Sequence, residues 1–173
     1  MIHNMQRIQA ILSHPLFCES LHKIQELERD RIYCKHGLPH LLDVARIASL
    51  MAADRQLDLP RDVIYAAALL HDIGKPEAQC RGKREGDPDM HYYGHPEKSM
   101  EIVRDIVIPE LDRQGYVIPC FDVQELLYYV KYHDDHVSVK LKHVRRHTKM
   151  ASFAMFQNLM LLHCLLYTSP SPR

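Results

Sequence analysis

The stretch that most constrains this chain is "DVIYAAALLHDIGKP", residues 62–76, where an unbroken apolar run leads straight into a histidine and an aspartate side by side. A helix that is apolar all round has no face to offer solvent, so it belongs at the centre of a bundle. It therefore carries His71 and Asp72 into the interior at its C-terminal end. An unpaired buried carboxylate costs several kcal/mol or takes up a proton, so buried groups of this kind are paired or hold a cation.

Elsewhere, nearly every patterned segment repeats its apolar residues at helical spacing, and no alternating run bounded by turn residues argues for a strand. The expected fold is an all-α bundle of six or seven helices, near 4–13, 15–30, 39–55, 60–71, 96–112, 121–133 and 149–163. Pro39, Pro60 and Pro96 suit first turns, where a missing N–H is not needed. Gly74 and Pro76 are expected to stop the central helix. Residues 77–94, charged and rich in glycine, read as a surface loop and a candidate lid.

Residues 1–163 are expected to form a single domain. The last ten residues, "CLLYTSPSPR", break the pattern and match what one reading frame through a common transposon-type sequencing adapter encodes. Residues 164–173 are accordingly expected to be a foreign tail that truncates the last helix.

Twenty-two basic residues balance twenty-two acidic ones, so no net field recruits nucleic acid or an anionic membrane. Five scattered cysteines show no short-spaced pair, which suits a reducing cytosol, and no run approaches the roughly 20 apolar residues of a membrane span. The chain is expected to be cytoplasmic. Thirteen histidines are the compositional anomaly, and histidine is the commonest metal ligand.

These histidines fall on inward-facing positions. His40 shares a stripe with Val44, Ile47, Ala48 and Met51, and Leu126 and Val130 place His133 on the buried side of its helix. Three helices thus aim imidazole or carboxylate at the interior, a familiar way for a bundle to build a metal site. Such mixed ligation suits manganese, iron, cobalt, nickel or zinc, with magnesium also open and one or two ions per site. His36, beside Gly37, reads as a loop or outer residue and not as a ligand. The basic run "KLKHVRRHTK", residues 140–149, reads as a solvated helix face, and Met150, Phe153, Ala154 and Gln157 as core packing.

Four segments together carry a resemblance: "HLLDVARIA" from His40, "AAALLHDIGK" to Lys75, "GHPEKSMEIV" from Gly94 and "LLYYVKYHDD" to Asp135. In this order they resemble the motif set of the HD-domain metal-dependent phosphohydrolases, including small standalone bacterial HD proteins and the HD portion of bacterial tRNA nucleotidyltransferases. The likeness spans about residues 30–162. It implies that His40, His71 and Asp72 are metal ligands, that His95 and His133 are candidate ligands of a second ion or contacts to a substrate phosphate, and that Lys75 faces a phosphate.

Around that centre Arg81, Lys83, Arg84, His91 and Lys98 are further candidates for holding substrate phosphate. The implied activity is hydrolysis of a nucleotide or related phosphate ester by metal-activated water, with His71, Asp72 and Lys75 as the catalytic set. The absence of a G-x-S-x-G elbow agrees with a reaction that needs no side-chain nucleophile. A non-catalytic module binding nucleotide or RNA is the alternative, and a purely structural metal a third. The family pattern also closes with an aspartate in the last helix, beyond the segment matching "FQNLMLLH". That position falls in the expected foreign tail, so a late acidic ligand is expected to be missing. Asp134 and Asp135 match an earlier motif.

Overall fold

The computed structural model describes residues 2–30, 35–81 and 90–167, and side-chain burial within 5–30, 35–81 and 91–163. Lys83 and Arg84 lie outside the described residues, as do the side chains of 164–173. In chain order the helices are α1 (Ile2–Ser13), α2 (Pro15–Leu27), α3 (Leu38–Asp54), α4 (Arg61–Leu70), α5 (His95–Ile102), α6 (Ile108–Arg113), α7 (Cys120–Tyr132), α8 (Leu141–His147) and α9 (Phe153–Tyr167). The fold is all-α, as the apolar spacing requires.

Helix α4 is the axis. Every residue from Asp62 to Leu70 is buried, and α1, α3 and α7 pack around it. Its acidic start is held by Arg7 of α1, which pairs with Asp62 and lies 3.7 Å from Asp122 at the start of α7. This fixes three helices at the end of the bundle opposite His71.

Helix α3 turns a different face to the core from the one its stripe predicts. Leu41, Val44, Ala45, Ala48 and Ala52 are buried, whereas Ile47 is 48% exposed. The buried arc is centred roughly a quarter turn beyond the His40–Met51 line. Small side chains decide it: Ala45, Ala48 and Ala52 let the backbone approach the equally slim α4, a closeness that Ile47 and Met51 would prevent. His40 is left at the edge of the interface, half-buried.

The helix expected over 96–112 is interrupted by a π-turn at Val103–Val107, where the Ile108 N–H reaches back to Val103. Pro109 accounts for the break, since its ring cannot share a regular helix with the carbonyl four residues earlier. The basic run read as a solvated helix face is a separate short helix, α8, with Lys142, Arg145 and Arg146 exposed, but His147 at its end is buried. The expected core stripe of α9 is also corrected: Met150 and Phe153 are 49% and 56% exposed, Ala154 and Gln157 are exposed, and the core takes Met155, Phe156, Leu159 and Leu162 instead. These form the stripe on the opposite side of the helix, which faces α3 and α7.

The loop at 77–94 is not wholly irregular. Cys80–Arg81 (β1) and Met90–His91 (β2) pair antiparallel, with Cys80 opposite His91, and so tie the two ends of the loop together. Gly74 has a different role from the helix stop assigned to it. Helix α4 already ends at Leu70, and a Cβ at Gly74 would lie 2.5 Å from the Ser99 nitrogen and 2.9 Å from the Lys98 carbonyl carbon. Glycine is required there for backbone contact with α5, sealed by the Gly74 N–H donating to Ser99 Oγ at 2.9 Å. Among the described residues no helix is long and apolar enough to cross a membrane.

Candidate metal centre

The centre forms where α4, α5 and α7 meet. His71, Asp72, His95 and His133 are each at most 8% exposed. Two arrive at a helix end, because His71 caps α4 and His133 caps α7. His95 opens α5, brought close by the Gly74–Ser99 contact.

The hydrogen bonds of the three imidazoles decide what they can do. His71 Nδ1 lies 2.9 Å from the Ala68 carbonyl, His95 Nδ1 2.9 Å from the Tyr92 carbonyl and His133 Nδ1 2.7 Å from the Val130 carbonyl. A carbonyl can only accept, so in each ring the proton sits on Nδ1 and donates outward. Each Nε2 is then left to face the centre. His71 Nε2 is 3.1 Å from Asp72 Oδ2, while His95 Nε2 and His133 Nε2 are 3.2 and 3.6 Å from Oδ1. His95 Nε2 and His133 Nε2 are themselves 3.1 Å apart.

Neutral rings in these tautomers would turn only lone pairs on the carboxylate, so Oδ2 takes its hydrogen bond from Lys75 Nζ at 2.6 Å and Oδ1 has none from the imidazoles. Burial pushes the His71 imidazole down to about 4, so this ring is neutral near pH 7. Burial works to raise Asp72, but the Lys75 ammonium, 2.6 Å from Oδ2, opposes it, and the carboxyl is held well below its ordinary range. Neutral imidazoles around an ionised carboxylate are the donor set of a divalent metal, and outward Nδ1–H bonds to carbonyls are the usual way of orienting such ligands. Donor atoms of His71, Asp72 and His133 lie within 4.8 Å of one another, so the residues present fit an ion.

Lys75 is the cation within reach. It is buried, with Nζ 2.6 Å from Asp72 Oδ2 and 3.6 Å from Glu28 Oε1. His40 is not drawn into the cluster of His71, Asp72, His95 and His133. Its ring meets that of His36 edge-on at 5.3 Å, and burial, followed by the charge of His36, lowers its pKa. Of the outer phosphate candidates, Lys98 lies 3.3 Å from Glu101 and 3.7 Å from Glu77, Arg81 is exposed on β1, and His91 stacks on Tyr93 at 5.1 Å.

One residue of the site carries no sequence signal. Glu28, just past α2, is 2% exposed, and it accepts from the His36 backbone N–H at 2.7 Å and from the His36 ring at 2.9 Å. In the charged run "QELERDR" nothing separates this glutamate from its solvated neighbours.

Fold and site together define an all-α protein whose central helix carries an imidazole–carboxylate centre into the bundle. A family model described as the HD domain matches residues 37–163, and the chain belongs to the HD-domain phosphohydrolase superfamily. An uncharacterized protein of Clostridium beijerinckii is 32% identical over 118 residues, covering 64% of this chain and 75% of the relative. A deoxyguanosinetriphosphate triphosphohydrolase-like protein of Nitrobacter hamburgensis is 37% identical over 73 residues, covering 42% of this chain and 18% of the relative. A protein of the same description from Rhodopseudomonas palustris is 41% identical over 69 residues, 38% of this chain and 17% of the relative. The chain thus spans less than a fifth of either triphosphohydrolase-like relative. No solved structure matches.

Proposed function

We propose that this chain is a divalent-metal-dependent phosphohydrolase acting on a nucleotide or a related phosphate ester. The observation that carries the reading is the acceptor-only face of the cluster: the Nε2 atoms of His71, His95 and His133 converge on the two oxygens of Asp72, with their Nδ1 protons turned away. His71, Asp72, His95 and His133 are the proposed ligands, with His40, whose ring stands outside their cluster, proposed as a further ligand from α3. The relatives described as triphosphohydrolase-like support a nucleotide as the substrate class.

When bound, a divalent ion supplies a water acidic enough to ionise near neutral pH and a charge to polarise the phosphoryl oxygen. The chain does the rest. Asp72 would hold the ion, with Oδ1 turned toward His95 and His133 and Oδ2 toward His71. Lys75, tied to Asp72 while the carboxylate is its partner, is positioned to turn its ammonium to a phosphate oxygen once that carboxylate is neutralised. Arg81, His91 and Lys98 border the β1–β2 loop and are the proposed outer contacts to the substrate.

Phosphate release from a broad nucleotide and phosphoester panel, by protein loaded with manganese, cobalt or nickel, tests this. Release that disappears in His71→Ala and Asp72→Ala supports the proposal, and no release from any substrate refutes it. One observation favours the non-catalytic alternative: Lys140, Lys142, Arg145 and Lys149 are all exposed around α8. RNA binding that falls steeply with salt, with no hydrolysis, would select that reading.

A further inference from the structure

We propose that His36, oriented by the buried Glu28 carboxylate, is a metal ligand on the Oδ2 side of Asp72. This rests on the metal reading above and extends it to two residues outside the matched family segment, which begins at residue 37.

The ring is fixed at one end. His36 Nδ1 lies 2.9 Å from both Glu28 oxygens, and the His36 backbone N–H bonds the same carboxylate at 2.7 Å. The Lys75 ammonium, 3.6 Å from Glu28 Oε1, faces the same carboxylate. An ionised carboxylate accepts the Nδ1 proton, so the free lone pair is on Nε2. A carboxylate behind a histidine, fixing its tautomer and raising its basicity, is the usual support of a metal-bound imidazole.

The other end of the ring is aimed at the centre. His36 Nε2 stands 3.9 Å from Asp72 Oδ2, with the His40 ring at 5.3 Å and the His71 ring at 6.3 Å from its own. Two donors sharing one ion, each about 2.0–2.2 Å from it, stand about 3–4 Å apart, so this spacing is that of ligands and not of a hydrogen bond. A cavity of about 10 Å³ on this side touches His36 and Asp72, its remaining lining being mostly apolar side chains of α2, α3 and α4. The Lys75 ammonium already stands between Asp72 Oδ2 and Glu28 Oε1, which shows that this side accepts positive charge.

Asp72 thus presents its two oxygens to two groups of imidazoles. Oδ1 faces His95 and His133, while Oδ2 faces His71 and, through the proposed ligand, His36 with His40 beside it. A dyad that only anchors residues 35–37 would not need its imidazole turned to the Asp72 carboxylate.

The experiment is metal titration of the metal-free full chain with zinc and cobalt(II), for wild type, His36→Ala, His36→Gln and Glu28→Gln. Occupancy is read by competition with a chelating dye, and the ligand set by the cobalt visible spectrum. Glu28→Gln is expected to weaken binding by about 10–100-fold, and both His36 variants at least as much, with a shifted cobalt band. Binding within twofold of wild type and an unchanged band in all three variants overturns the proposal.

Should the variants fail to fold, anomalous diffraction from zinc-soaked wild-type crystals decides. An ion about 2.0–2.1 Å from His36 Nε2 supports the assignment, and an ion held by Asp72 with His36 out of bonding reach refutes it. A wild-type chain that takes up no metal at all refutes the underlying metal reading, an outcome distinct from loss confined to the His36 and Glu28 variants.

Discussion

A buried histidine closes each of α7 and α8, His133 beside His71 and His95 and His147 beside Tyr128, and the two surroundings differ in what faces the rings. His133, with His71 and His95, is at most 8% exposed, and His147 at the end of α8 is 1% exposed. Around His147 the ring has a proton donor within hydrogen-bond distance. Burial keeps the Tyr128 phenol protonated, so its O–H donates to Nδ1 at 2.8 Å, Nε2 faces Asp135 at 3.7 Å, and Phe156 stacks on the ring at 5.2 Å. Around Asp72 the imidazoles spend their protons on carbonyls and turn lone pairs on a carboxylate. Burial is common to both, so burial does not identify a metal ligand. The identifying feature is that three imidazoles turn lone pairs on one carboxylate, leaving Lys75 to serve Oδ2 and no imidazole proton for Oδ1.

The sharpest way to break this contrast is Asp72→Asn. It is expected to reduce bound metal to background in elemental analysis, with helical circular dichroism retained, whereas His147→Leu keeps the full complement. Metal content unchanged in Asp72→Asn would erase the distinction. Chelation is the next largest effect. An ion present at a hundredfold excess over its Kd contributes about 2.7 kcal/mol, so its removal should lower the Tm by roughly 5–10 °C in a chain of this size, and not at all in Asp72→Asn.

Gly74→Ala probes how the cluster is assembled. Its Cβ would collide with backbone of α5, so a loss of up to about 3 kcal/mol in urea unfolding is expected, together with weaker metal binding as His95 is displaced from Asp72. His147→Leu keeps the volume but strands the Tyr128 hydroxyl, a cost of about 1–2 kcal/mol with metal affinity unchanged.

The smallest effect is one of pH. Burial, as the leading cause, lowers the His147 pKa below its ordinary 6.5, so the unfolded chain binds the extra proton first. Stability contributed by the neutral ring is complete above about 6.5 and declines as pH falls below it. In metal-free protein, His147→Leu should therefore show a shallower loss of Tm between pH 7 and 5 than wild type. His71, pushed down to about 4, adds a slope of the same sign in both proteins.

Much of this was readable from residue order. The all-round apolarity of 63–70 can only be satisfied at the centre of a bundle, and that alone places His71 and Asp72 inside. The step from Leu126 and Val130 to His133 likewise gives its burial from helical period. The β1–β2 ladder escaped because two paired residues are too few to show alternation. The α3 face was misjudged because Ile47 and Met51 are more apolar than Ala45 and Ala52, whereas the interface with α4 favours small residues over large ones. Glu28 was invisible because its burial depends on where α2 ends relative to residue 36, a relation with no counterpart in spacing.

What the sequence determined by itself was the helical class, the central helix and the polar pair at its end, because these follow from local periodicity and the cost of burying charge. Tertiary structure alone decided which imidazoles share the carboxylate. His95 reaches it through a glycine-permitted backbone contact and His133 through the packing of α7 on α4, while His40 stays one ring away. Those distances come from how helices dock, and docking is a property of surfaces that are assembled from residues far apart in the chain.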